Sequence, residues 1–170
     1  MDAKADSLPP IVSVVGDSGS GKTSLIEKTV EELTARGYRI GVVKHHVHGG
    51  FDVDKPGKDT WRIAQAGASA VALVAPNKMF VVQNTANELS LSEVVHMMTD
   101  IDLVFTEGFR REAHAKIMVV GNEIDGAIPT VSDEIVAVVT DGKADLGAES
   151  IDSKDYTTLC NVIEKRFLRN

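Results

Sequence analysis

One short segment, residues 16–23 (GDSGSGKT), constrains the fold of this chain more than any other part of the sequence. It matches the pattern G-x-x-x-x-G-K-[ST] in full and follows IVSVV at residues 11–15, an apolar run typical of a strand covered on both faces. A strand, a glycine-rich turn and a helix in this order predict a phosphate-binding loop in an α/β protein. The helix is predicted from side chains that recur at helical spacing, with Gly37 as its stop: Leu25, Ile26, Thr29, Val30 and Leu33.

This segment, called the phosphate loop below, has the chemistry that a nucleoside triphosphate requires. Glycines allow a tight turn in which successive backbone N–H groups point inward, and the following helix adds the positive end of its dipole. Lys22, a predicted catalytic residue, should contact the β- and γ-phosphates, and the hydroxyl of Thr23 should ligate Mg²⁺. A glycine-rich turn without a ligand is the alternative. The predicted nucleotide-binding residues here are Gly16, Asp17, Ser18, Gly19, Ser20, Gly21, Lys22, Thr23 and Ser24.

Length and composition are typical of one soluble domain. The chain has 170 residues, 43% of them hydrophobic and 25% charged, and we expect a single nucleotide-binding domain with residues 1–9 as a flexible lead. No apolar run is long enough for a membrane span and no apolar leader is evident, so we expect a cytoplasmic protein. The net charge of −7 argues against broad nucleic-acid binding. The single cysteine, Cys160, is predicted to be a core or half-buried thiol rather than a nucleophile.

Short apolar runs alternate with helical patterns along most of the chain. The predicted strands are residues 11–15, 38–44, 70–75, 79–83, 102–108, 115–120 and 134–140, and the pair within 70–83 resembles a hairpin. Further helices are predicted to begin at an N-cap on Asp59, near Ser90 or Ser92, and at residue 156. This alternation predicts an α/β protein with a three-layer P-loop NTPase fold, in which helices flank a mostly parallel central sheet.

A second acidic residue is expected at the end of a neighbouring strand, facing the metal ion. Glu107 ends the run DLVFTEG and precedes Gly108, which leaves room for a phosphate, so Glu107 is a predicted catalytic residue and metal ligand. It would hold a metal-bound water or orient the attacking water, and a surface carboxylate that caps the loop is the alternative. Arg110, Arg111 and Lys116 are candidates for binding transition-state charge or a second anionic substrate, with a solvated turn as the alternative.

A polar segment, HHVHGGFDVDKPGKD, follows the second predicted strand and leaves it at the same edge as the phosphate loop. Asp52 and Asp54 stand at alternating positions and point to one side if the segment is extended, which makes them candidate Mg²⁺ ligands. His45, His46 and His48 are candidates for a transition-metal site, but no fourth ligand is suitably spaced, and phosphate or substrate contact is favoured. A solvated charged loop is the alternative.

Three segments together resemble those of one family: GDSGSGKTSL, VVKHHVHGGFDVDKPGKDTWR and FTEGFRREAHAKI. The strings at residues 52–60 and 107–110 are more selective than the phosphate loop, and the resemblance, over residues 10–140, is to the molybdopterin-guanine dinucleotide biosynthesis protein B (MobB) family. It implies a P-loop GTP-binding protein with GTP and Mg²⁺ as cofactors. It also implies a nucleotide site that Glu107 closes and that is lined by Lys44, His45, Asp52, Asp54 and Lys58.

The resemblance further implies a homodimeric adapter in the last step of making the guanine dinucleotide form of the molybdenum cofactor. Its expected partners are molybdopterin and a MobA-type guanylyltransferase, which joins GMP to molybdopterin, and no role with nucleic acid or membrane is expected. Intrinsic GTP hydrolysis is expected to be slow. Two alternatives stay open: a small-molecule kinase, although no arginine-rich lid is evident, and a non-catalytic regulatory module that binds nucleotide only as a structural ligand.

Two features differ from those of related GTP-binding proteins. The phosphate loop has Asp17 and Ser18 where many members of the wider class carry an extra lysine, which argues against insertion of a lysine into a neighbouring subunit's site. The guanine-selecting pattern N-K-x-D is replaced by GKAD at residues 142–145. Asp141 or Asp145 is either an acceptor for the guanine N1–H and amino groups or a loop aspartate without base contact. The expected preference for GTP over ATP therefore rests on the resemblance alone.

Overall fold

A computed structural model of the chain describes residues 8–46, 50, 53–109, 114–121, 135–142 and 148–169. The chain divides into two compact units. The first comprises Met1–His45 with Leu91–Asn170, and the second comprises His46–Ser90. Within the described residues, no helix combines the length and the apolar composition that crossing a membrane requires.

The described residues form eight strands and four α-helices. The strands are β1 (Ile11–Gly16), β2 (Ile40–Lys44), β3 (Ala70–Ala75), β4 (Lys78–Gln83), β5 (Leu103–Glu107), β6 (Ala115–Val120), β7 (Ile135–Thr140) and β8 (Glu149–Asp152). The helices are α1 (Lys22–Ala35), α2 (Asp59–Gln65), α3 (Leu91–His96) and α4 (Tyr156–Ile163), and a π-helical turn, Glu164–Leu168, continues α4. Strands β3 and β4 and helix α2 belong to the second unit, and all other elements belong to the first.

The first unit is built on a six-stranded sheet with the strand order β2-β5-β1-β6-β7-β8. Every neighbouring pair in it is parallel, and β1 pairs with β5 on one side and with β6 on the other. Because all the strands run in one direction, their last residues meet at a single edge, called the carboxyl edge below, and the phosphate loop leaves β1 there. The predicted α/β fold with a mostly parallel central sheet is confirmed.

Helices cover both faces of this sheet because its strands carry apolar side chains on both sides. Leu103 and Phe105 of β5 pack in a core with Leu33 of α1, to which α4 also contributes. Val104, which lies between them in sequence, packs in a second cluster with Val95 of α3. All five side chains are at most 1% exposed, and burial of each contributes about 1.5–3 kcal/mol. The result is three layers, with α1 and α4 on one face and α3 on the other.

The second unit contains a separate two-stranded antiparallel sheet, in which β3 and β4 form the predicted hairpin. Directly opposite residues share a face, so one face carries Val71, Leu73, Phe80 and Val82. The other face, called the hairpin face below, carries Ala72, Val74, Met79 and Val81. Helix α2 contacts β3, and a cavity of about 420 Å³ in this unit is lined by residues that include Trp61 of α2 and Phe80 of β4.

Three predictions about elements need correction. Helix α2 begins at Asp59, so its N-cap is Lys58, and Asp59 instead places a negative charge in the first turn. The strand predicted from residue 38 begins at Ile40, because the N–H of Tyr38 still donates to the carbonyl of Leu33 at the end of α1. Strand β8 is absent from the sequence prediction, since Ile151 is the one buried residue of its four.

Cys160 is a buried core thiol, as predicted. It is fully buried in α4, and its Sγ lies 3.8 Å from the carbonyl oxygen of Thr29. Burial raises the pKa of the Cys160 thiol to about 12. Because the thiolate is the reactive form of cysteine, a thiol with this pKa is not a nucleophile at neutral pH.

Candidate functional site

The phosphate loop begins at Gly16, the last residue of β1, where no side chain fits. A Cβ at this position would lie 2.4 Å from the carbonyl oxygen of Val119 on β6 and 2.8 Å from the hydroxyl oxygen of Ser20. Within the loop, Gly21 has a φ of 91° in the left-handed region and is the N-cap of α1. Because glycine has no side chain with which to cap the first amides of the helix, those amides can bind an anion.

Two polar side chains of the phosphate loop have contacts that bear on ligand binding. The ammonium group of Lys22 donates to the carbonyl oxygen of Asp17 over 2.5 Å and so lies against the loop. The hydroxyl oxygen of Ser20 is buried and, among the described residues, has no hydrogen-bond partner. A buried hydroxyl in this state costs about 1–3 kcal/mol, and a phosphate oxygen would supply the missing partner. The loop therefore fits a bound phosphate at this point.

Glu107 ends β5, beside β1 at the carboxyl edge, and contacts two other predicted site residues. The hydroxyl of Thr23 lies 3.1 and 3.2 Å from the two carboxylate oxygens of Glu107, and the ammonium group of Lys44 lies 3.2 Å from one of them. The carboxylate is only 14% exposed, whereas Lys44 is 61% exposed. The fold thus brings together residues from α1, β2 and β5. Two of them, Thr23 and Glu107, are 84 positions apart in the sequence.

His45 follows β2 and lies against the residues that follow Glu107. Its backbone N–H donates to the carbonyl oxygen of Glu107 over 2.8 Å. The centroid of its ring lies 5.0 Å from that of Phe109, and the two ring planes are inclined at 35°. Gly108 has a φ of 105°, and a Cβ there would lie 3.0 Å from the Cβ of His45. Gly108 thus allows the chains after β2 and β5 to approach closely, which holds His45 beside Glu107. The contact with Phe109 is one that the sequence analysis missed.

The donor set at Thr23 and Glu107 fits Mg²⁺. This ion prefers oxygen ligands and is usually held in nucleotide sites by one or two protein oxygens together with phosphates and water. The hydroxyl of Thr23 and the carboxylate of Glu107 supply such oxygens side by side. Among the described residues, no group of three or more His, Cys, Asp or Glu side chains is arranged to hold a metal ion. A Mg²⁺ ion here would therefore depend on the nucleotide for most of its ligands.

A pair of buried hydroxyls links β1 and β5 within the sheet. The hydroxyl of Thr106 donates to that of Ser13 over 2.9 Å, and both residues are fully buried. Thr106 immediately precedes Glu107, so this bond helps to fix the end of β5 relative to β1. The sequence offers a partial signal for it, since Ser13 is a single polar residue within the apolar run IVSVV and Thr106 directly follows the apolar run LVF.

The other residues predicted for the site belong to the second unit, follow β7, or fall outside the described residues. Asp54, His46 and Lys58 belong to the second unit, where a carboxylate oxygen of Asp54 accepts from the N–H of Lys55 over 2.8 Å. Asp141 follows β7 at the carboxyl edge of the first unit. Five predicted or candidate residues lie outside the described residues: Asp52, His48, Arg110, Arg111 and Asp145.

Lys116 is not at the carboxyl edge, contrary to its predicted role in binding transition-state charge or a second anionic substrate. It is the second residue of β6, is 2% exposed, and pairs with Ser13 in the sheet. Gly16, where the phosphate loop begins, pairs with Val119, three residues further along β6, which is roughly 10 Å at the rise of a strand. A lysine buried at that depth in the sheet cannot serve as an exposed anion-binding group.

Comparison with known proteins places these features in one family. Residues 11–141 match the family model described as "MobB: Molybdopterin guanine dinucleotide synthesis protein B". The chain is 34% identical over 157 residues to a molybdopterin-guanine dinucleotide biosynthesis adapter protein of Haemophilus influenzae, with 91% of this chain and 88% of that protein covered. It is 31% identical over 162 residues to the protein of the same name from Escherichia coli, with 91% of each covered.

A solved structure is similar to the chain over nearly its whole length. The crystal structure of a molybdopterin-guanine biosynthesis protein B matches with a TM-score of 0.77 at 30% sequence identity. The match covers 94% of this chain and 99% of the other.

Proposed function

This chain belongs to the MobB family, and on that basis we propose that it is an adapter protein of molybdopterin-guanine dinucleotide biosynthesis that binds GTP with Mg²⁺ at its phosphate loop. The adapter role is supported by relatives of that name that align with about nine-tenths of the chain. The observation that carries the nucleotide proposal is the loop itself, where the hydroxyl of Ser20, which has no partner among the described residues, lies beside Gly16, at which no side chain fits.

In this proposal, each part of the site has one task. The backbone amides of residues 16–23 and of the first turn of α1 bind the phosphates, and the ammonium group of Lys22 balances their charge. Thr23 and Glu107 hold Mg²⁺, which when bound neutralises charge on the phosphate oxygens. Lys44 and His45 border the same site from the end of β2, and Asp52, Asp54 and Lys58 are further proposed contacts.

We expect intrinsic GTP hydrolysis to be slow, because Glu107 is the proposed water-positioning residue and already contacts both Thr23 and Lys44. A carboxylate engaged in this way holds a metal-bound water in place but is poorly placed to accept a proton from it. Phosphate release from Mg²⁺ and GTP should be slow and should not respond to added nucleosides or sugars. Rapid turnover that requires such an acceptor would favour the small-molecule kinase instead.

The proposed protein partner is a MobA-type guanylyltransferase, and the proposed small-molecule partner is molybdopterin. Support comes from the word adapter in the names of the relatives and from the guanine nucleotide that the proposed site shares with that reaction. The purified protein should co-elute with the guanylyltransferase in size-exclusion chromatography. Separate elution at micromolar concentrations, with and without GTP and Mg²⁺, would contradict this partnership.

We also propose that the protein is a homodimer that buries the hairpin face. That face is apolar and solvent-accessible in the single chain, with Val74 72% exposed, Met79 67% and Val81 48%. Two-stranded sheets are marginally stable in water unless their apolar faces are covered, and exposed apolar patches commonly mark interfaces. A symmetric dimer would cover this face in both copies with the same set of residues.

A further inference from the structure

The second unit contains a cavity of about 420 Å³, a volume within the range of ~300–1,000 Å³ that is typical of pockets for small organic ligands. All of the described residues that line it belong to this unit, which comprises His46–Ser90. None of the described residues of the unit is fully buried, so its apolar side chains have only partial cover within the single chain. A ligand in the cavity would remove more of this apolar surface from water.

Side chains from two elements supply the apolar lining of the cavity. On the surface of the hairpin opposite to the hairpin face, Val71 of β3 pairs directly with Val82 of β4, and Phe80 lies two residues before Val82. From α2, Trp61 and Ala64 line the cavity at helical spacing. All five side chains are half-buried. Such a lining suits a flat ring system, which can stack on an aromatic side chain.

The polar lining of the cavity includes a carboxylate and two amides but no cation. Asp54, Gln65 and Asn84 supply these groups, and none of the described lining residues is a lysine, arginine or histidine. A phosphate group would therefore meet no opposite charge here. A neutral ring with N–H and carbonyl groups would meet an acceptor at the carboxylate and both donors and acceptors at the amides. The cavity thus favours the ring of a ligand over its phosphate groups.

Hydrogen bonds fix the positions of two of these polar residues. A carboxylate oxygen of Asp54 accepts from the N–H of Lys55 over 2.8 Å, and this bond takes one of the roughly four acceptor positions of a carboxylate. The N–H of Asn84 donates to the carbonyl oxygen of Ser69 over 2.9 Å, which extends the pairing of β3 and β4 by one residue. The segment before α2 and the end of the hairpin therefore each hold a polar group at the cavity.

From this lining we infer that the cavity binds the pterin ring of molybdopterin, with Trp61 or Phe80 stacked on the ring and Asp54 as its acceptor; the inference rests on the proposed function, which names molybdopterin as a partner. A pterin presents two adjacent donors, N3–H and the 2-amino group, and a carboxylate accepts from both. Its C4 carbonyl accepts from an amide such as that of Asn84. Guanine carries the same edge, and Asp54 is also a further proposed contact of GTP, so the test separates the two rings.

The test uses pterin and lumazine, two small rings that differ at C2, where pterin has an amino group and lumazine has a carbonyl. Each is titrated into the unchanged protein, and binding is followed by the fluorescence of Trp61, the single tryptophan of the chain. Pterin should quench this fluorescence. It should also bind at least about tenfold more tightly than lumazine, the effect of one charge-assisted hydrogen bond.

Asp54→Asn tests the carboxylate. This variant should lose the preference for pterin over lumazine, because an amide can donate to the C2 carbonyl of lumazine. Calorimetric titration of GTP with Mg²⁺ should show a smaller loss of affinity than titration of pterin does. Asp59→Asn is the matched control, since Asp59 lies on α2 but does not line the cavity, and this variant should bind pterin as the unchanged protein does.

Two substitutions of Trp61 test the stacking, with calorimetry as the readout because both remove the fluorophore. Trp61→Ala should weaken pterin binding by at least about fivefold, the effect of losing one stacked aromatic ring. Trp61→Phe keeps an aromatic face and should retain most of the affinity. Equal affinity of Trp61→Ala and the unchanged protein would contradict stacking on this residue.

The inference fails if pterin does not bind to the unchanged protein, or if Asp54→Asn keeps the preference for pterin over lumazine. It also fails if saturating GTP with Mg²⁺ displaces pterin, because the cavity would then take the guanine base. In each case GTP binding, and co-elution with the guanylyltransferase, would still support the proposed function. If pterin binds but GTP with Mg²⁺ does not, the inference stands and the proposed nucleotide site is wrong.

Discussion

Gly16 is the residue at which the geometry of the phosphate loop can be tested most directly. A methyl group there would lie 2.4 Å from the carbonyl oxygen of Val119, which is backbone and cannot move aside without disturbing β6. We expect Gly16→Ala to reduce the free energy of unfolding by about 1–3 kcal/mol and to weaken nucleotide binding strongly. Urea unfolding and titration of GTP with Mg²⁺ measure the two effects.

Gly121 provides the matched control, since it follows the adjacent strand and a Cβ there would meet nothing described within 4 Å. Gly121→Ala should change the free energy of unfolding by less than about 0.5 kcal/mol. Similar effects of the two substitutions would show that the close contact between Gly16 and Val119 does not shape the loop.

Thr23 is the residue at which the magnesium proposal can be separated from phosphate binding. Its hydroxyl lies 3.1 Å from Glu107, and loss of that oxygen should remove a metal ligand while leaving the loop amides intact. Thr23→Ala should therefore abolish most of the increase in GTP affinity that Mg²⁺ produces, whereas Thr23→Ser, which keeps the hydroxyl, should retain it. Fluorescence titration with and without Mg²⁺ measures this increase. An equal loss of affinity in both conditions for Thr23→Ala would contradict a metal role.

Part of the candidate site is predictable from sequence because it is local. The phosphate loop is a continuous segment at the junction of β1 and α1, and the spacing of its glycines determines its backbone geometry. The contacts of Glu107 with Thr23 and Lys44 depend on which strands are neighbours, and residue patterns do not encode that order directly. A hydrogen bond from the hydroxyl of Ser153 to the carboxylate of Asp141 depends on β8, a strand too short and too polar to be recognised in sequence.

At the scale of elements, a network around Glu164 joins the C-terminal helical segment to the end of α1 and the start of β2. The carboxylate of Glu164 accepts from the hydroxyl of Tyr38 over 2.8 Å and from the guanidinium group of Arg36 over 2.9 Å. Arg36 also pairs with Glu32 on α1. The hydrogen bond from Tyr38, together with the weaker effect of Arg36, lowers the pKa of Glu164, although partial burial opposes the shift.

This lowered pKa predicts how stability changes with pH. The ionised form of Glu164 stabilises the fold above its pKa in the unfolded chain, about 4.3, and this contribution is lost as the pH falls through the lower pKa of the folded state. The difference in free energy of unfolding between the unchanged protein and Glu164→Gln should therefore be larger at neutral pH than at about pH 3. Urea unfolding followed by circular dichroism measures it.

Glu31→Gln is the matched control for this prediction. Glu31 lies on α1 and pairs with Lys28 over 2.9 Å, but its side chain is 71% exposed, and exposed pairs of this kind contribute little. Its substitution should have a small effect at both pH values. If Glu164→Gln lowers the free energy of unfolding by the same amount at both pH values, the stabilisation by this network is not electrostatic in origin.

Elements with strong periodicity are predictable from sequence, and their boundaries are set by neighbours. Leu25, Ile26, Thr29 and Leu33 are all buried on α1, as their spacing predicts. The strands β1, β5 and β7 are each buried over four or more consecutive residues, most of them apolar, because both of their faces are covered. The start of β2 and the N-cap of α2 depend on single hydrogen bonds and shift by one or two residues from the pattern.

At the scale of the whole molecule, the proposed dimer can be tested by a substitution on the hairpin face. A charge at Val74, which is 72% exposed in the single chain, would have to be desolvated in a dimer that buries this face. We expect Val74→Asp to be a monomer with nearly unchanged thermal stability of the central sheet, and we expect the unchanged protein to be a dimer. Size-exclusion chromatography with light scattering measures the mass directly.

Met97 supplies the control for a charge on an exposed apolar residue, since it is 66% exposed and belongs to the first unit. Met97→Asp should remain dimeric. A Val74→Asp protein that is still a dimer would exclude the hairpin face as the interface, and an unchanged protein that is monomeric at micromolar concentrations would contradict the dimer itself.

The central claim, that the phosphate loop binds GTP with Mg²⁺, is tested most directly by calorimetric titration of three proteins: the unchanged chain, Lys22→Ala and Lys28→Ala. Lys28 lies on α1 as well, but its ammonium group pairs with Glu31. The account predicts saturable binding to the unchanged chain and to Lys28→Ala. It predicts binding at least about tenfold weaker to Lys22→Ala, which loses charge-assisted contacts of about 1.5–3 kcal/mol each. Absence of binding to the unchanged chain, or equal affinity of Lys22→Ala, would contradict it.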